Sequence, residues 1–210
     1  MFKVYWYCAI THAPFRSEVN YPFSEYQTNM NDESSVTVIR YGHRPGRDDR
    51  MTTHVGLTAR ALGADRVFFP SNATQAQETV EDITTRFGGV FQARCTDELD
   101  AYIRDFDDMV VHLTMYGEPI QAEIAAIKSN ATDTNLLVIV GGEKVPFSVY
   151  EQADWNVAVT NQPHSEVASL AVFLDRLFEG TELSRSWPNA ERKVIPQATG
   201  KRVIDTDDSV

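Results

Sequence analysis

An α/β chain with a mainly parallel sheet and helices on both faces is predicted by three features of the sequence. Short strand-like runs alternate with stretches of helical period from Val36 to Phe178. One run, Leu136–Val140, is apolar without interruption, the mark of a central parallel strand covered on both faces. The chain has 210 residues, 42% of them hydrophobic, enough for a core that needs no disulfide or metal staple.

The elements follow in order. Val36–Tyr41 reads as a buried strand and Thr52–Leu62 as a helix. Arg66–Pro70 is a short strand. The next helix carries Ala76, Val80, Ile83 and Phe87 on one stripe and stops at Gly88-Gly89. Val90–Cys95 is a strand, Glu98–Arg104 a helix, Met109–Thr114 a strand and Pro119–Lys128 a helix. After Leu136–Val140 come a short helix at Phe147–Gln152 and a strand at Trp155–Val159. The last helix runs from His164 to Phe178, with Val167, Leu170, Ala171, Leu174, Leu177 and Phe178 on one face, and ends at Gly180.

The first 29 residues differ in kind. They hold 8 of the chain's 22 aromatic residues and no net charge. They read either as an added substrate-binding arm or as a segment outside the functional domain, with Met30 as the start. The expected division is therefore an extension at 1–29, a functional domain at 30–201 and an acidic tail at 202–210.

Thirty acids against nineteen bases give a net charge of −11, which alone argues against a nucleic-acid partner. The bases are 14 Arg and only 5 Lys. Acid-rich, lysine-poor chains suit molar salt, where the Debye length is about 3 Å and self-repulsion is screened. A halophilic protein and an ordinary acidic one are both consistent with this balance. Local charge departs from the total: Val36–Arg60 holds five arginines against Asp48 and Asp49, a net +3. Cys8 and Cys95 fit neither a metal site nor a disulfide framework, which points to a reducing cytoplasm. The longest nearly apolar runs are about seven residues, against the roughly 20 that a membrane helix needs, and no signal peptide is evident.

Three loops, each after the carboxyl end of a strand, are where an open α/β sheet binds ligands. The first runs from Arg40 to His54 and places Arg40, Arg44, Arg47 and Arg50 within eleven residues. Guanidinium forks match phosphate oxygens bidentately; the alternative is an Arg/Asp salt-bridge cluster at a helix start. The second, Gly141-Gly142-Glu143-Lys144-Val145-Pro146, has neither Walker nor G-x-G-x-x-G spacing. It is a plain turn or a site of close ligand approach. The third, Thr160–Glu166, either caps the last helix through Asn161 or His164 and its neighbours, or holds the polar end of a cofactor. The histidines lack metal-ligand spacing, so no metal is expected, and His112 reads as a core or cofactor-wall residue.

Taken in order, RYGHRPGRDDRMTTH (Arg40–His54), VGLTARALGAD, VHLTMYG, IVGGEKVP, NVAVTNQPHSEVASLAVFLDRL and KVIPQATGK resemble the archaeal tRNA (cytidine-56-2'-O)-methyltransferases of the SPOUT class. The resemblance covers Val36–Lys201, with Tyr41, Leu62 and Thr160 as minor departures. It implies a C-terminal deep trefoil knot, a homodimer, and S-adenosylmethionine as cofactor. The cofactor's implied contacts are Leu113, then Gly141, Gly142, Glu143, Lys144 and Val145, then Val159, Thr160, Asn161, Gln162, Pro163, His164, Ser165 and Glu166. The implied substrate is the ribose 2'-hydroxyl of a cytidine in the tRNA T-loop. On that basis Arg40, Arg44 and Arg47 are expected to contact RNA, with Arg50 as the catalytic residue and His54 second to it. The alternatives are a non-catalytic knotted protein binding RNA or an adenosyl ligand, and a SPOUT 2'-O-methyltransferase acting on another RNA. The intact glycines and arginines favour the enzyme.

Overall fold

In the computed structural model the described residues are 34–142 and 144–206. The division at residues 29 and 30 therefore lies outside them, as does Glu143. Six parallel strands form one sheet: β1 (Val36–Tyr41), β2 (Arg66–Pro70), β3 (Gln92–Thr96), β4 (Met109–Pro119), β5 (Leu136–Gly141) and β6 (Trp155–Ala158), in the order β3-β2-β1-β5-β4-β6. The apolar run Leu136–Val140 lies centrally in β5, between β1 and β4. Each of its residues is at most 1% exposed, because helices cover both faces.

The helices are α1 (Asp49–Ala61), α2 (Thr74–Phe87), α3 (Leu99–Arg104), α4 (Ile120–Ala131), α5 (Phe147–Gln152) and α6 (Glu166–Phe178). On one face α1 packs between α2 and α6, and α4 packs beside α6; α3 and α5 adjoin on the other. Alternate strand residues feed these two layers. Val38, Val67, Val111, Val138 and Val157 join the cluster of Val55, Val80, Leu170 and Phe173. Between them lie Phe68, which meets Tyr102 at 4.9 Å, and His112, which meets Tyr150 at 4.5 Å. In α2 the predicted stripe is realised in part, with Ala76 and Val80 buried, Ile83 and Phe87 half-buried, and Gly88 at φ 78° after the helix.

Several boundaries shift from expectation, β3 starting at Gln92 rather than Val90 and α6 at Glu166 rather than His164 among them, and three differences are informative. Helix α1 begins at Asp49 rather than Thr52, because the Asp-rich turn is already helical. Strand β4 continues to Pro119 through an irregularity between Leu113 and Glu118, where Gly117 lets the chain press against the backbone of Asn156 and Val157. That stretch carries no alternation that would mark it as strand. The expected acidic tail begins instead as ordered structure. After a single 3-10 turn at Thr181–Ser184, β7 (Arg192–Ile195) and β8 (Arg202–Asp205) pair as an antiparallel hairpin. Val194 meets Val203 only across the strands, so neither segment announces itself alone.

Candidate active site

A cleft of about 570 Å³ opens at the carboxyl ends of β4 and β5, in the size range of small-molecule sites. Of the residues expected at a cofactor site, Leu113, Gly141, Lys144, Val145, His164 and Glu166 line it. Leu113 and Val145 supply apolar wall, while Lys144 and Glu166 supply opposite charges. The lining is completed by His112, Thr114, Met115, Tyr116, Phe147, Tyr150 and Ser169. Only His112 among these was marked by the sequence as a wall residue. Phe147 and Tyr150 stand three apart on α5, on one helix face, with ring centroids 6.3 Å apart. That spacing is the signal that would have found them.

One wall is a closed hydrogen-bond network. Asn156 Nδ2 donates to the Tyr150 carbonyl at 2.9 Å, so its Oδ1 faces His112 Nδ1, which donates to it at 2.9 Å. Thr114 Oγ1 and the Tyr150 hydroxyl share a bond of 3.1 Å. Burial holds the His112 pKa below its ordinary value, against a smaller opposing pull from Asn156. The ring is therefore neutral near pH 7, with Nδ1 occupied and Nε2 as its acceptor edge.

Gly142, Val159, Thr160, Asn161, Gln162, Pro163 and Ser165 stand outside the lining. Asn161 does not cap α6; its Nδ2 donates to the Met115 and Gly117 carbonyls at 2.8 and 3.1 Å, fastening the loop to β4. The cap is Ser165, whose Oγ accepts from Ala168 N at 3.2 Å. Gly142 donates its N–H to the Tyr41 carbonyl at 2.8 Å and accepts from Arg44 at 3.0 Å, so its backbone faces the first loop.

The arginines of that first loop divide. Arg40 is fully buried; its Nη1 donates to the Tyr41 and Gly42 carbonyls at 3.1 and 2.9 Å, and Nη2 stands 3.8 Å from Glu166. The expectation that Arg40 contacts RNA is thereby corrected. It sits on a central strand, and its side chain is spent bracing the loops. Arg44 grips Asp48 through Nε and Nη2 at 2.9 and 3.1 Å as well as reaching Gly142. That grip holds the Asp48 carboxyl below the usual range. His43, Asp49 and Thr52 stiffen the same turn: His43 Nδ1 lies 2.8 Å from Thr52 Oγ1, and Asp49 accepts from Gly46 N. The side chains of Arg47, Arg50 and His54 are exposed and make no hydrogen bond or ion pair among the described residues. Arg50 and His54, four apart on α1, share one helix face. None of the three lines the cleft of its own chain.

The family described as tRNA ribose 2'-O-methyltransferase, aTrm56, matches residues 87–204. A curated tRNA (cytidine(56)-2'-O)-methyltransferase of Halobacterium salinarum is 65% identical over 179 residues, covering 85% of this chain and 93% of that one. The protein of that name from Thermococcus kodakarensis is 48% identical over 176 residues, covering 82% and 98%. Among solved structures, the SpoU methyltransferase AviRb from Streptomyces viridochromogenes, in complex with AdoMet, is similar at a TM-score of 0.50 and 9% identity, covering 73% of this chain and 63% of that one. That last likeness is one of fold.

Proposed function

This chain belongs to the archaeal tRNA (cytidine(56)-2'-O)-methyltransferase family, and on that premise we propose how its cleft and its basic loop divide the work. The reaction is methylation of the 2'-hydroxyl of cytidine 56 in tRNA. The cleft is the proposed site of S-adenosylmethionine, which supplies an electrophilic methyl group on a sulfonium. The lining suits it: an apolar Leu113/Val145 wall for a flat heterocycle, the Glu166 carboxylate for positive charge, Lys144 for a carboxylate, and hydroxyls of Thr114 and Tyr150 for polar edges. The knotted path implied for this class is proposed for β4–α6.

Arg47 and Arg50 are proposed to bind the RNA. A guanidinium with pKa above about 12 cannot take the hydroxyl proton, but it can fix a phosphate and stabilise a developing alkoxide. Arg50 is the proposed catalytic residue and His54 the nearest alternative. Because these groups stand outside the cleft of their own chain, a homodimer is proposed in which the basic loop of one protomer faces its partner's cleft. Placement in line at about 3 Å is then the main demand on the enzyme. The functional unit is proposed to start at Met30 and to act in the cytoplasm.

The observation carrying this reading is the cleft at the β4–β5 ends, lined by six of the fourteen residues expected at the cofactor site. Methyl transfer from labelled S-adenosylmethionine to unmodified tRNA, with mass mapping of the product, tests it. Label at cytidine 56 is expected; an unlabelled tRNA would overturn it.

A further inference from the structure

The β7–β8 hairpin is out of character with the chain that bears it. From Arg192 to Asp205 there are four bases, Arg192, Lys193, Lys201 and Arg202, against one acid, Asp205. At the chain's average composition such a stretch would hold about two acids. Two of the five lysines lie here. Arg192 is paired with Asp205 at 3.2 Å, but Lys193, Lys201 and Arg202 are exposed with no ion pair among the described residues. In the hairpin register Lys193 opposes Ile204 and Arg202 opposes Ile195, so the two cations share one face of the ribbon.

The hairpin borders a groove of about 960 Å³, between it and the carboxyl end of α1, lined also by Arg185 and Trp187. The groove is built rather than incidental. Arg60, buried at the end of α1, donates to the Gly88 carbonyl at 2.6 Å and to Thr84 at 3.1 Å, and its guanidinium stands 4.5 Å over the Trp187 ring. Gly89 lets the ring lie close, since a Cβ there would meet it at 3.0 Å. Arg50 and Arg60 are ten residues apart on α1, about 15 Å, so the groove lies well away from the loop that presents Arg50.

We propose that this hairpin and groove form a second docking surface for the tRNA backbone, separate from the loop that presents Arg50. The proposal rests on tRNA being the substrate and adds where else it is held. In molar salt, with a Debye length of about 3 Å, steering at a distance is lost and only direct cation–phosphate contacts survive. Exposed cations without acidic partners are the groups that can make them. A second protein copy, at −11, is the less suited occupant, because phosphate matches the unpaired cations at higher density.

The test is Lys193→Gln with Arg202→Gln, in the full chain, with unmodified tRNA transcript bound across a graded potassium chloride series. Loss of two phosphate contacts should make the slope of log affinity against log salt shallower by roughly 1.4 to 1.8. KM for tRNA should rise about tenfold with kcat at saturating tRNA and S-adenosylmethionine binding unchanged. Lys193→Arg with Arg202→Lys should restore both slope and KM. An unchanged slope and KM would overturn the proposal. A lowered solution mass with an unchanged slope would also overturn it, making the hairpin a contact between copies. Failure of the unaltered protein to methylate tRNA would instead overturn the reading of the cleft, leaving the slope comparison intact.

Discussion

The buried guanidinium of Arg40 occupies the space that a Cβ on Gly142 would need. The two residues follow from neighbouring parallel strands, with Arg40 opposite Val140 and Tyr41 opposite Gly141. Gly142 carries no left-handed φ, so room for Arg40 is what requires glycine here. Arg40 braces its own loop at the Tyr41 and Gly42 carbonyls and stands beside Glu166 on the cleft wall, while the Gly142 N–H to Tyr41 and Arg44 to the Gly142 carbonyl join the first loop to the second.

Gly142→Ala is therefore expected to unseat Arg40 and destabilise the fold by about 3–5 kcal/mol, the range for breaking a buried charge's partners. Loss of cofactor binding should be a consequence of this. Thermal unfolding checks it, and Arg40→Met in the Gly142→Ala background should recover part of the loss, a coupling that independent sites would not show.

Arg50→Ala should leave folding and S-adenosylmethionine binding intact, weaken tRNA binding modestly, and slow single turnover by about 10²-fold or more. Calorimetry, filter binding and rapid-quench methylation measure the three quantities. A near-normal single-turnover rate would move the catalytic role to Arg47 or His54.

His112 gives a pH prediction. Its folded pKa is below the unfolded value of 6.5, so the unfolded chain binds the proton first as pH falls. Stability should be full above about pH 7 and decline as pH falls through 6.5, until the folded form also protonates. The slope from this one group is at most about 1.4 kcal/mol per pH unit. Denaturant titrations of the unaltered protein and of His112→Gln should differ by that component; parallel curves would show that His112 does not titrate on unfolding.

A charge of −11 with few lysines should make the fold depend on salt. The melting temperature is expected to rise by several degrees from dilute buffer to molar potassium chloride. An unchanged value would remove the halophilic reading.

A chain beginning at Met30 is expected to fold and to methylate tRNA at a rate within a few-fold of the full chain. Activity lower by more than tenfold would assign residues 1–29 a part in the reaction.

The sequence by itself determined the parallel sheet, the place of β5 at its centre and the three loops at the strand ends. Hydrophobic period is a local signal, and the uninterrupted run Leu136–Val140 requires cover on both faces. Residue order also carried the family's motifs, because they are contiguous. Only the tertiary structure decided which arginine of a four-arginine loop faces in. Arg40 and Arg50 are the same chemical group, and one is buried because it extends from a central strand while the other lies on an exposed helix start. The same is true of His112, Asn156 and Tyr150, which lie up to 44 positions apart and meet because β4 pairs with β6 and α5 packs against β4. Contacts of that separation depend on strand order and helix placement, which no local pattern encodes.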